Sequence, residues 1–256
     1  MREICVGSAR IPYRVFGSGR PLVLVHGGSP GSKAWEVAAS ALAESRMVVL
    51  PDLSGSDAAR DDGGELTVEV LAEQVAAVIS DLGQGPADAA GHSMGGAVVA
   101  ALAVARPELV RSLVLVTGWT GRGDRYLREA TVLWRQLAGD TEAFARYSML
   151  IAFSREYLES VPAGTVAEMA AAYRPVPGRL RQIDLALRLD VRDLLPEVSV
   201  PTLVIGCSRD TLISARYSRE LAAAITGAEY AEIESGHQVM VERPEEFVEL
   251  VRGFAG

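Results

Sequence analysis

The sequence predicts an α/β fold in which a mostly parallel, twisted β-sheet carries helices on both faces. Two observations support this prediction. Short apolar segments alternate with longer segments of helical periodicity, as in βαβ units. One segment, residues 119–195, interrupts this alternation and is helical in character, so we interpret it as an insertion and call it the helical insertion. With 256 residues, the chain is long enough for one large domain of this class.

Eight short apolar segments are candidate strands. The first two are close enough in sequence to form a hairpin, and the other six are typical of buried core strands. In chain order, the candidates are residues 4–6, 13–16, 22–25, 48–50, 87–90, 113–116, 203–205 and 230–233.

Three helices follow from local signals. Apolar residues recur at helical spacing over residues 65–82, and Gly83 supplies a stop. A second helix is expected to begin near Met94 and to end before Pro107, since proline disfavours helical geometry in the residue before it. The last helix is expected to begin near Pro244, because proline is favoured in the first turn.

The helical insertion is rich in aromatic residues. It holds eight of the chain's fifteen, which are Trp119, Tyr126, Trp134, Phe144, Tyr147, Phe153, Tyr157 and Tyr173. Burial in the insertion's own core is the ordinary role for any one ring, but the enrichment indicates that some face a substrate. We therefore predict a helical cap at 119–195 on a core formed by 1–118 and 196–256. Trp119, Trp134 and Tyr147 are candidate substrate contacts, together with Ser29 of a glycine-rich loop.

Composition excludes several partners. The formal net charge is -8 and the sequence contains no basic run, which argues against nucleic-acid binding. The sequence also has no apolar run long enough to span a membrane. The N-terminus lacks the features of a secretory signal, and the two cysteines are far apart, so we expect a cytoplasmic protein. We expect it to be a monomer or a homodimer.

The strongest local signal is a Gly-x-Ser-x-Gly motif, formed by residues 91–95. It follows a predicted strand and precedes a predicted helix, which is the context of a nucleophile elbow. Such a turn raises the serine hydroxyl above the sheet, and its glycines allow strand and helix to approach closely. The motif predicts that Ser93 is a catalytic nucleophile, although an ordinary glycine-rich turn would have similar composition.

Four motifs together resemble the α/β-hydrolase superfamily. They are Val25-His26-Gly27-Gly28, Gly91-His92-Ser93-Met94-Gly95-Gly96, an aspartate after a late strand, and Gly236-His237. The resemblance covers nearly the whole chain apart from the helical insertion, and it implies the α/β-hydrolase fold. The motifs are equally similar to those of small capped esterases, cofactor-free perhydrolases and carbon–carbon bond hydrolases, so the class of reaction stays open.

An activated serine requires a base, and the chain has only three histidines. His92 resembles the residue that packs below the elbow, and His26 resembles a loop-shaping residue. His237 remains as the base. Asp210, after a late strand, resembles the acid that orients it; Asp124 is a weaker alternative, and a turn or a helix cap is the ordinary role of such an aspartate.

An oxyanion hole needs two backbone N–H donors. The resemblance assigns them to Gly28 and Met94. The glycine-rich loop matches no nucleotide-binding motif, and the histidine spacing fits no metal site, so we expect neither a cofactor nor a metal. Asp57 replaces the second glycine of a family turn after the fourth strand, in which Asp52 is expected to be structural.

The sequence therefore predicts a serine hydrolase with the triad Ser93, Asp210 and His237. Its expected substrate is a small apolar or aromatic metabolite with an ester or related acyl bond, cleaved through an acyl-enzyme. A lyase or cyclase on the same scaffold, using His237 for proton transfer, is the first alternative. A non-catalytic protein that binds a small molecule is the second.

Overall fold

The computed structural model describes residues 1–28, 31–121 and 123–255. Eight strands in these ranges form one sheet. They are β1 (Arg2–Val6), β2 (Ala9–Phe16), β3 (Pro21–Val25), β4 (Met47–Pro51), β5 (Ala87–His92), β6 (Val110–Val116), β7 (Thr202–Cys207) and β8 (Glu229–Ile233). Each predicted strand lies within one of them.

The strands lie in the order β1-β2-β4-β3-β5-β6-β7-β8. β1 and β2 form the predicted hairpin, and β2 also pairs antiparallel with β4. All other pairs are parallel. The predicted α/β fold with a mostly parallel sheet is confirmed, and the structure is an α/β-hydrolase fold.

Eleven α-helices lie in the described residues. They are α1 (Glu36–Leu42), α2 (Val68–Leu82), α3 (Met94–Ala105), α4 (Arg125–Gln136), α5 (Thr141–Ala152), α6 (Arg155–Ser160), α7 (Ala163–Ala171), α8 (Pro177–Arg188), α9 (Ala215–Ala223), α10 (Val239–Glu242) and α11 (Pro244–Ala255). The three predicted helices correspond to α2, α3 and α11. In the described ranges, no helix combines the length and the apolar character needed to cross a membrane.

Local signals explain the ends of α2. The Thr67 side chain accepts a hydrogen bond from the Val70 N–H and caps the first turn. Gly83 ends the helix in the left-handed conformation, with φ of 62°, which costs glycine little because it has no Cβ. The sequence therefore fixes both the start and the stop of the helix.

Two hydrophobic cores cover the two faces of the sheet. Successive strand residues point to opposite faces, so Val23 belongs to one core while Leu22 and Leu24 belong to the other. The first core contains residues of α2, α3 and α9, and the second contains residues of α1, α10 and α11. Burial on both faces explains why the central strands are continuously apolar.

The helical insertion contains α4 to α8, which lie between β6 and β7 in the chain. Within it, α4 packs against α8 and α5 packs against α7. Several of its buried residues, including Leu127, Trp134 and Ile183, join the same core as α2 and α3. A division into domains at residues 118 and 196 stays a prediction.

Candidate active site

The site lies at the carboxyl edge of the parallel strands, where open α/β sheets bind their ligands. The loop after β3 carries Gly28, and the turn after β5 carries Ser93. The loops after β7 and β8 carry Asp210 and His237. Because these strands are parallel, four segments that are distant in sequence meet at one edge of the sheet.

Ser93 occupies a strained turn between β5 and α3. Its φ of 56° and ψ of −124° are sparsely populated by residues with a Cβ. The Ser93 N–H donates to the Val116 carbonyl at 2.8 Å, which ties the turn to the end of β6. The conformation predicted for a nucleophile elbow is therefore present.

The motif glycines allow this turn to form. A Cβ on Gly91 would collide with the Gly95 carbonyl. A Cβ on Gly95 would lie 2.6 Å from the carbonyl oxygens of both Val25 and His26. Helix α3 can begin this close to β3 and β5 only because both positions lack a side chain.

Asp210 and His237 form a buried acid–base pair. His237 Nδ1 donates to Asp210 Oδ2 at 2.6 Å, which leaves Nε2 as the unprotonated ring nitrogen when the imidazole is neutral. The N–H groups of Leu212 and Ile213 both donate to Asp210 Oδ1 at 2.8 Å. Asp210 is thus held on both oxygens. Asp124, the alternative acid, caps α4 by accepting from the Leu127 N–H.

Three further contacts hold the His237 backbone. His92 Nε2 donates to the His237 carbonyl at 2.8 Å, and the neighbouring Gln238 N–H donates to the Ala152 carbonyl at 2.9 Å. On the other side, the Gly236 N–H donates to Glu242 Oε2 at 3.0 Å. The imidazole is therefore fixed by its own chain as well as by Asp210.

Glu242 was not found by sequence reasoning. Its buried carboxylate also accepts hydrogen bonds from the N–H of Ser154 at 2.8 Å and from the Ser154 hydroxyl at 2.7 Å. It thereby joins the helical insertion to the His237 loop. No sequence signal marked it. Ser154 lies 88 residues before Glu242 and Gly236 lies 6 residues before it, and only the folded chain brings the two segments together.

The other two histidines have structural contacts. His26 Nε2 accepts from the Leu53 N–H at 3.0 Å, while Nδ1 donates to the Gly27 carbonyl at 2.9 Å. Burial lowers the pKa of His26 and lowers that of His92 well below its usual value, with the nearby His237 lowering His92 further. Both rings are therefore neutral at pH 7.

The loops and the helical insertion enclose a cavity of about 820 Å³, including its opening to solvent. Ser93, His237, Gly28 and Met94 all line it, and so do the predicted contacts Trp119 and Trp134. Asp210 lies behind His237, with its side chain fully buried.

Trp134 and Tyr147 lie in different surroundings. A Cβ on Gly28 would lie 3.8 Å from the Trp134 ring, so that ring lies close to the predicted oxyanion loop. Tyr147 is not among the lining residues, and its hydroxyl donates to the Ala130 carbonyl at 2.9 Å. Ser29, the remaining predicted contact, lies outside the described residues.

The remaining expectations concern the loop after β4 and metal binding. Asp52 accepts from the Ser32 N–H at 2.7 Å and holds the loop that follows β3. Asp57 lies 3.7 Å from the Arg179 guanidinium of the helical insertion, so the residue that replaces the family's glycine contacts α8. Within the described ranges, no cluster of three or more potential metal ligands is found. The catalytic roles of Ser93, Asp210 and His237 stay predictions.

Comparison with known proteins adds independent support for the fold and the enzyme class. A model of the alpha/beta hydrolase family matches residues 22–250. The chain is 35% identical over 259 residues to the pyrrolizixenacetamide deacetylase of Xenorhabdus hominickii, and the match covers 99% of this chain and 97% of that protein. It is 30% identical over 273 residues to the 2-hydroxymuconate semialdehyde hydrolase of a Pseudomonas species, with 99% and 93% covered.

Among solved structures, the enol-lactonase of Burkholderia xenovorans is similar to this chain with a TM-score of 0.88 at 25% identity, and the match covers 99% of both chains. These three relatives carry the names of three different hydrolases. Since the family model spans most of the chain and one relative is 35% identical over nearly its full length, this protein is a hydrolase that belongs to the alpha/beta hydrolase family.

Proposed function

We propose that this protein is a serine hydrolase that cleaves an ester or amide bond in a small, mainly apolar metabolite. The observation that carries the proposal is the 2.6 Å hydrogen bond between Asp210 and His237, in a cavity whose lining also includes the strained Ser93. Relatives named a deacetylase and an enol-lactonase favour an acyl bond as the target.

In the proposed mechanism, His237 Nε2 removes the Ser93 hydroxyl proton as Oγ attacks the acyl carbon. The tetrahedral intermediate collapses when the leaving oxygen or nitrogen takes that proton from His237. Water, deprotonated by His237, then attacks the acyl-enzyme. As the second tetrahedral intermediate collapses, the bond to Ser93 Oγ breaks, His237 returns the proton to that oxygen, and the acid product is released. Asp210 stays ionised and stabilises the imidazolium in both halves of the reaction.

The oxyanion is assigned to the N–H groups of Gly28 and Met94. Met94 opens α3, so its N–H has no acceptor within the helix and lies at the positive end of the helix dipole. Both residues line the cavity with Ser93. The proposed mechanism thus uses only side chains, backbone donors and water.

The cavity wall supports an apolar substrate. The helical insertion contributes Leu127, Trp134 and Ile183 to the lining. Arg128 is the one arginine among the described lining residues, and its side chain is exposed. A substrate with a large apolar part and no net charge suits this wall.

Hydrolysis of p-nitrophenyl acetate and labelling by a fluorophosphonate, mapped by peptide mass spectrometry, test the proposal. The label is expected on Ser93, and Ser93→Ala is expected to lower kcat by about 10⁴-fold or more. Ser40→Ala is the matched control, because Ser40 is exposed on α1 and bonds only within its own helix.

A label on another serine, or full turnover by Ser93→Ala, would exclude Ser93 as the nucleophile. Mass spectrometry of the products in H₂¹⁸O separates hydrolysis from lyase or cyclase chemistry. Hydrolysis places one ¹⁸O atom in the acid product, whereas elimination places none. A protein that neither turns over esters nor reacts with the label would be a binding protein.

A further inference from the structure

The side chain of Gln182 is fully buried in α8 and lines the same cavity as Ser93. In the part of the chain that the structure describes, neither its Nε2 nor its Oε1 has a hydrogen-bond partner. Buried amides in folded proteins are nearly always paired, because an unpaired one loses its bonds to water without replacement. A ligand that reaches this side chain from the cavity would complete its bonds.

Other buried polar atoms without partners have simpler settings. Most are single atoms, such as Trp35 Nε1 and the hydroxyl of Ser218. Among the described residues with one such atom, only His92 lines the cavity, and its other ring nitrogen is bonded to the His237 carbonyl. Two nitrogens of Arg179 have no hydrogen-bond partner in the described ranges, but Nη2 lies 3.7 Å from the Asp57 carboxylate and Nη1 donates to the carbonyls of Ala172 and Arg174. Arg179 does not line the cavity either. Gln182 alone among these described residues leaves a donor and an acceptor together at the cavity.

The neighbours of Gln182 place it to one side of the nucleophile. A Cβ on Gly55 would lie 2.9 Å from Gln182 Cγ, and Gly55 belongs to the loop after β4. Ser93 follows β5, and β3 lies between these two strands. Gln182 therefore lies against the loop after β4, whereas Ser93 lies at the end of β5.

We propose that Gln182 binds a second amide group of the substrate, one that presents an N–H beside a carbonyl, as a carboxamide or a lactam does. Gln182 Oε1 accepts from the substrate N–H while Nε2 donates to the substrate carbonyl. A planar group with adjacent donor and acceptor completes both bonds at once, and no charge is buried. This inference rests on the proposed function, since it specifies which acyl substrates the site selects.

The apolar surroundings make this contact selective. Ile183 and Leu187 of the same helix, with Leu127 of α4, line the same cavity as Gln182. An apolar substrate of equal size would leave that amide without partners in the complex. Sites of this kind discriminate strongly against a ligand that lacks the hydrogen-bonding group.

The test uses two pairs of ester probes with Gln182→Met, whose side chain is apolar and of similar length. In one pair the acyl chain ends in a carboxamide or in an isopropyl group; in the other pair the phenol carries the same two groups. In at least one pair, wild type is expected to prefer the amide, and Gln182→Met is expected to lower the amide-to-isopropyl ratio of kcat/KM by about 10- to 100-fold.

Gln136→Met is the matched control, since Gln136 is exposed near the end of α4 in the same helical insertion. It is expected to leave every ratio unchanged. If Gln182→Met changes both members of each pair equally, Gln182 has no role in recognising an amide, and the inference is overturned.

Thermal unfolding supplies a second readout. Gln182→Met is expected to unfold at the same or a higher temperature, because it removes a buried amide that has no partner in the free protein. A fall of more than about 4 °C would mean that Gln182 is already satisfied inside the free protein, which also overturns the inference.

Failure of this inference is distinguishable from failure of the proposed function. If the esters are turned over with unchanged ratios, only the role of Gln182 is lost. If no ester is turned over, binding of 4-hydroxyphenylacetamide and of 4-isobutylphenol is compared by isothermal titration calorimetry on wild type and Gln182→Met. If wild type binds the amide more tightly than the phenol without an amide, and Gln182→Met does not, the inference is supported. If wild type binds both ligands equally, the inference is overturned.

Discussion

Two glutamines, Gln74 and Gln182, are buried against the same loop, residues 53–57. Gln74 of α2 accepts from the Ser54 N–H at 3.0 Å and donates to the Ser54 hydroxyl at 2.8 Å. Gln182 of α8 packs against Gly55, but its amide has no partner within the described residues. Within the described ranges, both polar atoms of the Gln74 amide are hydrogen-bonded to the protein, whereas neither polar atom of the Gln182 amide is.

The same contrast extends to the site as a whole. On the sheet side, Asp210 accepts three hydrogen bonds and His237 is held through both its ring and its backbone. On the side formed by the helical insertion, the residues that line the cavity with Gln182 are mainly apolar. One side held by hydrogen bonds and one mainly apolar side fit a family in which the chemistry is shared and the substrates differ.

The largest effect is expected for Asp210→Asn. The amide cannot accept and stabilise the imidazolium as the carboxylate does, so kcat for p-nitrophenyl acetate is expected to fall by about 10⁴-fold. Asp124→Asn is the matched control, since Asp124 is the alternative acid and asparagine also caps helices. A loss of less than about 10-fold in Asp210→Asn would show that His237 does not depend on this carboxylate.

Glu242→Ala tests the contact between the two sides. The substitution leaves the buried N–H groups of Ser154 and Gly236 without acceptors, so the free energy of unfolding is expected to fall by about 3 kcal/mol. Its kcat is expected to fall too, because the His237 loop loses an anchor, and Glu242→Gln is expected to restore part of both. Urea unfolding and ester turnover measure the two effects.

Glu249→Ala is the control for Glu242→Ala and Glu242→Gln, because Glu249 is exposed on α11. It is expected to change neither quantity. If Glu242→Ala unfolds at the same urea concentration as wild type, the three hydrogen bonds contribute nothing to stability. If its kcat is unchanged, Glu242 does not position the His237 loop.

Gln74→Met is the counterpart of the Gln182 substitution. It leaves the buried N–H and hydroxyl of Ser54 unpaired, so the free energy of unfolding in urea is expected to fall by about 2 kcal/mol. Gln182→Met is expected to cause no such loss. Equal losses in both variants would remove the distinction between the two glutamines.

Sequence patterns predicted the sheet well because its signals are local. Apolar runs gave all eight strands, and Gly83 and Pro107 marked the limits of α2 and α3. The Gly-x-Ser-x-Gly motif also predicted the strained turn at Ser93, because the two glycines that make room for that turn lie within two residues of Ser93. Elements whose determinants lie within a few residues were therefore predictable.

Contacts between distant segments were not predictable in the same way. Glu242 bonds to Ser154 across 88 residues, and nothing in either segment marks the pair. Tyr147 was expected at the substrate, but its place on α5 directs its hydroxyl to the Ala130 carbonyl. Gln182 lies among three arginines and one aspartate in α8, so only the packing of that helix shows that it is buried.

The smallest effect concerns pH and belongs to the sheet side, where His26 and His92 are buried. Burial lowers the pKa of both folded-state imidazoles below the unfolded value of about 6.5; the Asp52 carboxylate partly offsets this for His26, and the neighbouring His237 adds to it for His92. Below pH 6.5 the unfolded chain binds protons that the folded protein does not bind. Stability is therefore complete above that pH and is lost as the pH falls.

The loss is expected to reach at most about 1.4 kcal/mol per pH unit for each histidine. Urea unfolding between pH 7 and pH 5.5 measures it, in a range where most carboxylates stay ionised. Gln182→Met is expected to show the same slope as wild type, because an amide does not titrate. A stability that rises as the pH falls would mean that these rings are charged in the folded protein, contrary to their burial and to the hydrogen bond that the Leu53 N–H donates to His26.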